Sequence, residues 1–286
     1  KLWWSKKKQQ MGDFMSSEYP STMAEMLDSV IKGAIYGPIL AKLRNEHKVV
    51  DFPHDPNAPL YTFWDLGQTD LTCIWLAQFS GPNIYLLDYY SSCRQYARKY
   101  VEAIEEWQWK YNAKGLLNVL PHDADVQGGK GPSWRMELDR AGLKRIACVP
   151  KTSDKWIGIN AGRLILQMCM IHASNCGRKI APVEDQKIPS GLEALECYRV
   201  DVSPDNSGRS MKEAPVHDEY SHGADAFRTL AEAMSRGMLH GNSAVERSFR
   251  NSGGDVSRPK LPWEDDDDLD TKQKPVIAKA VLHPRR

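Results

Sequence analysis

The sequence predicts an α/β protein in which helices pack on a mixed β-sheet. Two observations carry that prediction. Three apolar, β-rich runs at 60–64, 71–79 and 84–90 follow one another with short connections, the last introduced by Gly81-Pro82-Asn83. Strands joined so closely read as an antiparallel meander. Helical and extended patterns then alternate along the chain, and a meander followed by such alternation implies a sheet of mixed direction.

The elements follow in order. Residues 1–58 read as a helical and irregular lead-in, with a Lys6-Lys7-Lys8 cluster and a short helix candidate over 39–44. Pro53, Pro56 and Pro59 mark a linker or loop before the first strand. After the meander, Tyr96, Tyr100, Ile104, Trp107 and Tyr111 recur at helical spacing with charges between them. Residues 116–120 form a fourth strand. A short helix over 134–140 is closed by Gly142, and a fifth strand covers 145–149. Ile157, Ala161, Leu164, Ile165, Met168 and Ile171 form a second helical stripe. A strand near 179–183, a short helix over 192–198 and a last helix over about 223–238 complete the order. The expected organisation is a lead-in over 1–58, one folded domain over 59–240 and a flexible charged tail over 241–286, where apolar periodicity stops and Glu264 begins an acidic run.

Composition bounds the class. A hydrophobic fraction of 41% with 26% charged residues is ordinary for a globular domain. The formal net charge of +1 gives no global basic signal, so a nucleic-acid partner would have to meet a local basic surface. Cys73, Cys93, Cys148, Cys169, Cys176 and Cys197 form no C-x-x-C pair, and several lie in apolar runs, which predicts free thiols in a reducing compartment. No apolar stretch reaches the ~18 to 20 residues that cross a bilayer. No signal peptide is read, and the first residue is Lys1, as expected of a fragment or processed product.

Three aspartates carry the chemistry. Asp65 ends the first strand in Phe63-Trp64-Asp65-Leu66-Gly67. Asp123 follows the fourth strand in Leu120-Pro121-His122-Asp123-Ala124. Asp225 opens the last helix in Ser221-His222-Gly223-Ala224-Asp225. Each has a plain explanation, as a turn residue or a carboxylate near a helix N-terminus. Together, acids at strand ends and a helix start are what a fold needs to gather oxygen ligands around hard divalent cations. Asp218, His217 and His222 crowd the same segment as Asp225, and Asp125 competes with Asp123. His122, His222 and Lys155 are accessory candidates, for orienting water or contacting phosphate, and Asp70 reads first as a turn residue. Gly128-Gly129-Lys130-Gly131 lacks the spacing of a phosphate-binding ATPase loop.

The order of strands and helices is the layout of the ribonuclease H-like fold. The motifs, with Glu18-Tyr19-Pro20, Gly33-Ala34-Ile35-Tyr36, Gly158-Ile159-Asn160-Ala161-Gly162-Arg163 and Gly191-Leu192-Glu193-Ala194-Leu195 beside those above, resemble the nuclease portion of bacteriophage terminase large subunits over about residues 18–238. The resemblance implies a metal-dependent endonuclease that cuts concatemeric double-stranded viral DNA during packaging. It implies Asp65, Asp123 and Asp225 as a triad for two Mg²⁺ or Mn²⁺ ions, with Asp218 as accessory acid. It also implies portal protein and terminase small subunit as partners, and the host bacterial cytoplasm as location. The family's ATPase domain is missing, since no Walker A motif is present, and 1–58 reads as its remnant and linker. Two other readings compete: another ribonuclease H-like nuclease of resolvase or transposase type, and a non-catalytic portal or DNA docking module.

Overall fold

The computed structural model describes residues 33–80, 82–113, 116–126, 131–200 and 214–239. The lead-in before residue 33, most of the glycine-rich run at Gly128 and the tail from 241 lie outside the described residues.

The elements in chain order are α1 (Gly37–Asn45), β1 (Val49–Val50), β2 (Leu60–Asp65), β3 (Leu71–Ser80), β4 (Asn83–Cys93), α2 (Ala97–Lys110), β5 (Leu116–Leu120), a 3₁₀ turn (His122–Asp125), α3 (Trp134–Arg140), β6 (Ile146–Cys148), α4 (Lys155–Leu166), β7 (Cys169–His172), α5 (Ala173–Cys176), α6 (Gly191–Cys197) and α7 (Glu219–Ser235). Seven strands form one sheet in the order β1-β7-β4-β3-β2-β5-β6. The meander β2-β3-β4 is antiparallel, and β5 and β6 extend it in parallel from β2. That five-strand arrangement is the ribonuclease H-like layout expected from the sequence.

Alternation along each strand sends side chains to two cores. On one face, Tyr61, Phe63, Trp75 and Phe79 pack with Ile159, Ile165, Phe227 and Leu230, so α4 and α7 cover it. On the other, Leu60, Trp64, Ile74 and Leu76 meet Tyr100, Ile104, Trp107 and Leu138 of α2 and α3. Residues ahead of the meander join the first core: Tyr36 and Leu40 are fully buried, and β1 pairs with β7 at the sheet edge.

Several expectations needed correction. Met168 and Ile171 do not continue a helix. α4 ends at Leu166, and 169–172 is strand β7, paired with β4 and β1. A three-residue apolar spacing fits either state, and the alternating burial of Cys169 and Ile171 is a strand's signature. No strand forms at 179–183; an isolated bridge joins Val183 to Gln186. The last helix starts at Glu219, because Asp218 caps it by accepting from the Tyr220 N–H at 3.0 Å. Asp225 therefore lies in the second turn and not at the start. All six cysteines are free as expected, and burial pushes the Cys73 thiol up to about 12. Among the described residues no helix is long and apolar enough to cross a membrane.

Candidate metal-binding active site

Parallel β2 and β5 run in register from Leu60↔Leu116 to Phe63↔Val119, so their C-terminal ends share one edge of the sheet. Asp65 closes β2 there, and Asp123 follows β5 by three residues. Ligands in open α/β sheets commonly gather outside such strand ends. Asp65 has the same strand parity as Tyr61 and Phe63, so it emerges on the face covered by α7.

Packing fixes α7 against this edge. The Trp75 indole N–H donates to the Gly223 carbonyl at 2.8 Å in the interior. A Cβ at Gly223 would stand 2.5 Å from the Ala194 methyl and 2.7 Å from the Tyr89 hydroxyl, so only glycine lets the helix approach this closely. The result brings His222 onto Asp65, with Nδ1 to Oδ2 at 3.1 Å. One helical turn on, Asp225 is only 9% exposed. Lys155 at the start of α4 donates to Asp225 Oδ2 at 2.8 Å, and Arg228 donates through Nε to Oδ1 at 3.1 Å. Arg228 also donates to Glu232, itself buried.

The electrostatics follow from burial. Desolvation pushes Asp65 above the usual carboxylate range, the nearby Asp225 charge adds to that, and the His222 bond opposes it. Desolvation works against a charged His222, yet the bond and charge of Asp65 outweigh it and raise its pKa. Two neighbouring carboxylates thus lack positive charge, even with Lys155 and Arg228 beside them.

The accessory candidates divide. Asp218 is committed on both oxygens, to the cap of α7 and to Arg199 at 2.8 Å. Asp125 pairs with Arg135 through both oxygens, at 3.2 and 3.1 Å. His122 stands half-buried in the 3₁₀ turn. Asp123 is exposed and lines a cleft of about 550 Å³ with Leu66, Gln68, Tyr96 and Trp134. A slightly larger cleft of about 590 Å³ surrounds His54 and Leu60 at the opposite end of β2, away from the acids. Asp65, Asp123 and Asp225 do not converge to within 4.8 Å; among the described residues the ligand atoms that do are those of Asp70, His217 and His222. The sequence reading missed Glu232, whose i,i+4 spacing from Arg228 was its available signal, and it left Asp70 as a turn residue.

The donor set fits a hard divalent cation. Asp65 keeps Oδ1 without a hydrogen-bond partner among the described residues, and each Asp225 oxygen retains a second lone pair beyond its one donor.

No protein-family model matches the chain, and no curated protein does. It is similar to the large terminase of a thermophilic bacteriophage, solved as the whole protein, at 17% identity and a TM-score of 0.49, over 70% of this chain and 44% of that one. The chain thus spans less than half of that protein's length. It is similar to the P22 large terminase nuclease domain, at 14% identity and a TM-score of 0.48, over 72% of this chain and 94% of that one. It is also similar to the large terminase nuclease from thermophilic phage G20c with bound magnesium, at 12% identity and a TM-score of 0.43, over 70% of this chain and 98% of that one. All three are large terminases or nuclease parts of them, the family whose motifs this sequence resembles.

Proposed function

We propose that this chain is a metal-dependent DNA endonuclease, the nuclease part of a phage terminase large subunit. The observation that carries the reading is the meeting of Asp65 and Asp225 at the C-terminal edge of β2, on a sheet with the strand order such nucleases use. Asp65 and Asp225 would hold divalent cations, with Asp123 joining them from the turn after β5. Bound there, Mg²⁺ or Mn²⁺ supplies water activation and charge stabilisation for phosphodiester hydrolysis, in the two-ion scheme when both positions fill.

The side chains of the site have separable tasks. His222 holds Asp65 Oδ2 and so aims Oδ1 toward the cation. Lys155 and Arg228 anchor Asp225 from two directions, which fixes its rotamer before any ligand arrives. Lys155 keeps 38% of its side chain exposed, enough to meet a phosphate as well. Substrate binding rests on phosphate contacts, with weak sequence preference and steep salt dependence. In the whole motor the substrate is concatemeric double-stranded DNA, and the portal and small subunit are the partners.

The test is Mn²⁺-dependent nicking of supercoiled plasmid. Asp65→Ala and Asp225→Ala should each lower the rate by roughly 10²-fold or more while circular dichroism stays unchanged. Cutting at the wild-type rate by either variant overturns the assignment. A preference for four-way over linear duplex DNA would move it to a resolvase-type enzyme.

A further inference from the structure

We propose that Asp70, His217 and His222 form a separate binding site for a borderline transition-metal ion of the Zn²⁺ or Co²⁺ class. One ligand atom from each lies within 4.8 Å of the other two. Asp70 comes from the β2–β3 turn, His217 from the residues before α7 and His222 from its first turns.

Hydrogen bonding sets the tautomer of both histidines. Ser221 donates its hydroxyl proton to the Asp218 carbonyl at 2.7 Å. The same oxygen lies 3.2 Å from His217 Nδ1, so it accepts there and His217 carries its proton on Nδ1. His222 Nδ1 faces the Asp65 carboxylate, which also only accepts. In their neutral forms both rings therefore present the Nε2 lone pair. A histidine whose other nitrogen donates to a carboxylate or fixed oxygen is the usual support of a metal-bound imidazole. The two rings lie 5.1 Å apart at 70°, close enough to share one ion.

The third donor is held in place. Thr72 Oγ1 accepts from the Gly67 N–H and donates to the Gly67 carbonyl, both at 3.1 Å, which closes the turn carrying Asp70. Asp70 has no hydrogen-bond partner among the described residues, so its carboxylate is available. Two imidazoles and one carboxylate suit Zn²⁺, Co²⁺ and their neighbours, whereas Mg²⁺ favours oxygen donors and retained water. Such an ion would clamp the β2–β3 turn to α7 and hold His222 on Asp65. The site stands independently of the nuclease reading, because its occupancy is measurable without substrate.

Cobalt is the probe. A low-coordinate site with nitrogen ligands gives intense visible absorption with Co²⁺, and an all-oxygen octahedral site gives little. The wild-type chain should develop these bands up to one equivalent, lose them to added Zn²⁺ and keep them in excess Mg²⁺. Asp70→Asn and His217→Gln, at exposed positions, should each weaken Co²⁺ binding by roughly tenfold or more with unchanged circular dichroism. Asp225→Asn, which disables the carboxylate pair, should leave the bands intact. Absence of bands in the wild type, bands indifferent to both Asp70→Asn and His217→Gln, or bands lost in Asp225→Asn would each overturn the proposal. Bands that persist in a chain unable to cut DNA would refute the nuclease assignment alone.

Discussion

Arg228 sits between two carboxylates, Asp225 and Glu232, with its side chain 16% exposed and theirs 12% and 5%. Removing one member of a buried ionic group leaves the others uncompensated, which typically costs 3–5 kcal/mol. Arg228→Ala should therefore lower unfolding stability by about 3 kcal/mol in urea titrations. Lysine, with no planar fork to span both acids, should restore only part of it. A loss below about 0.5 kcal/mol would mean that the two acids find other partners. At this scale the sequence was readable in kind but not in company. Asp65 and Asp225 stood out by their positions at element ends. Their partners His222, Lys155 and Glu232 depend on how α4 and α7 cross the sheet, and no local pattern encodes that crossing. Asp123 shows the same limit, because its place after β5 was legible while its distance from the other acids was not.

Among the elements, α4 meets α7 through a glycine. A Cβ at Gly158 would lie 2.5 Å from Glu232 Oε1 and under 3 Å from the Arg228 side chain. Gly158→Ala should thus lower stability by about 1–3 kcal/mol, despite alanine's better helix propensity, and should weaken the Lys155 to Asp225 contact. An alanine variant as stable as the wild type would show that the helices separate at little cost. The start of α6 offers a pH test. Ser190 and Glu193 form a capping box, and the Ser190 N–H bond holds Glu193 below the usual glutamate pKa. A group depressed in the folded state stabilises above its unfolded pKa of about 4.3 and loses that contribution as pH falls through the folded value. Glu193→Gln should lower the thermal midpoint at neutral pH and match the wild type near pH 3. Equal midpoints at neutral pH would remove the charge from the account. Here the sequence spoke more clearly. Helix α3 matched its expected span because Ser133 caps it and Gly142 follows it. Strand β7 was misread because four residues are too few to establish a period.

For the molecule as a whole, metal and fold should be linked. A ligand bound only by the native state adds about 2.7 kcal/mol at a hundred times its Kd. Mn²⁺ should raise the thermal midpoint of the wild type and leave that of Asp65→Ala/Asp225→Ala nearly unmoved in calorimetry. Equal shifts in both would place the ion elsewhere. The sheet order was the most legible feature at this scale, since a meander followed by alternation restricts the topology to few forms. What the sequence could not convey was how deeply α7 is enclosed. Every residue from Ser221 to Phe227 is buried, and the helix packs on β2, β3, α4 and α6. Amides in such a segment become exchangeable only when the whole domain opens. In deuterium exchange α7 should therefore be among the last segments to take up label, while the exposed turn of Asp123 exchanges early. The acid on the helix would then persist until global unfolding, and the acid in the turn would come and go many times before it.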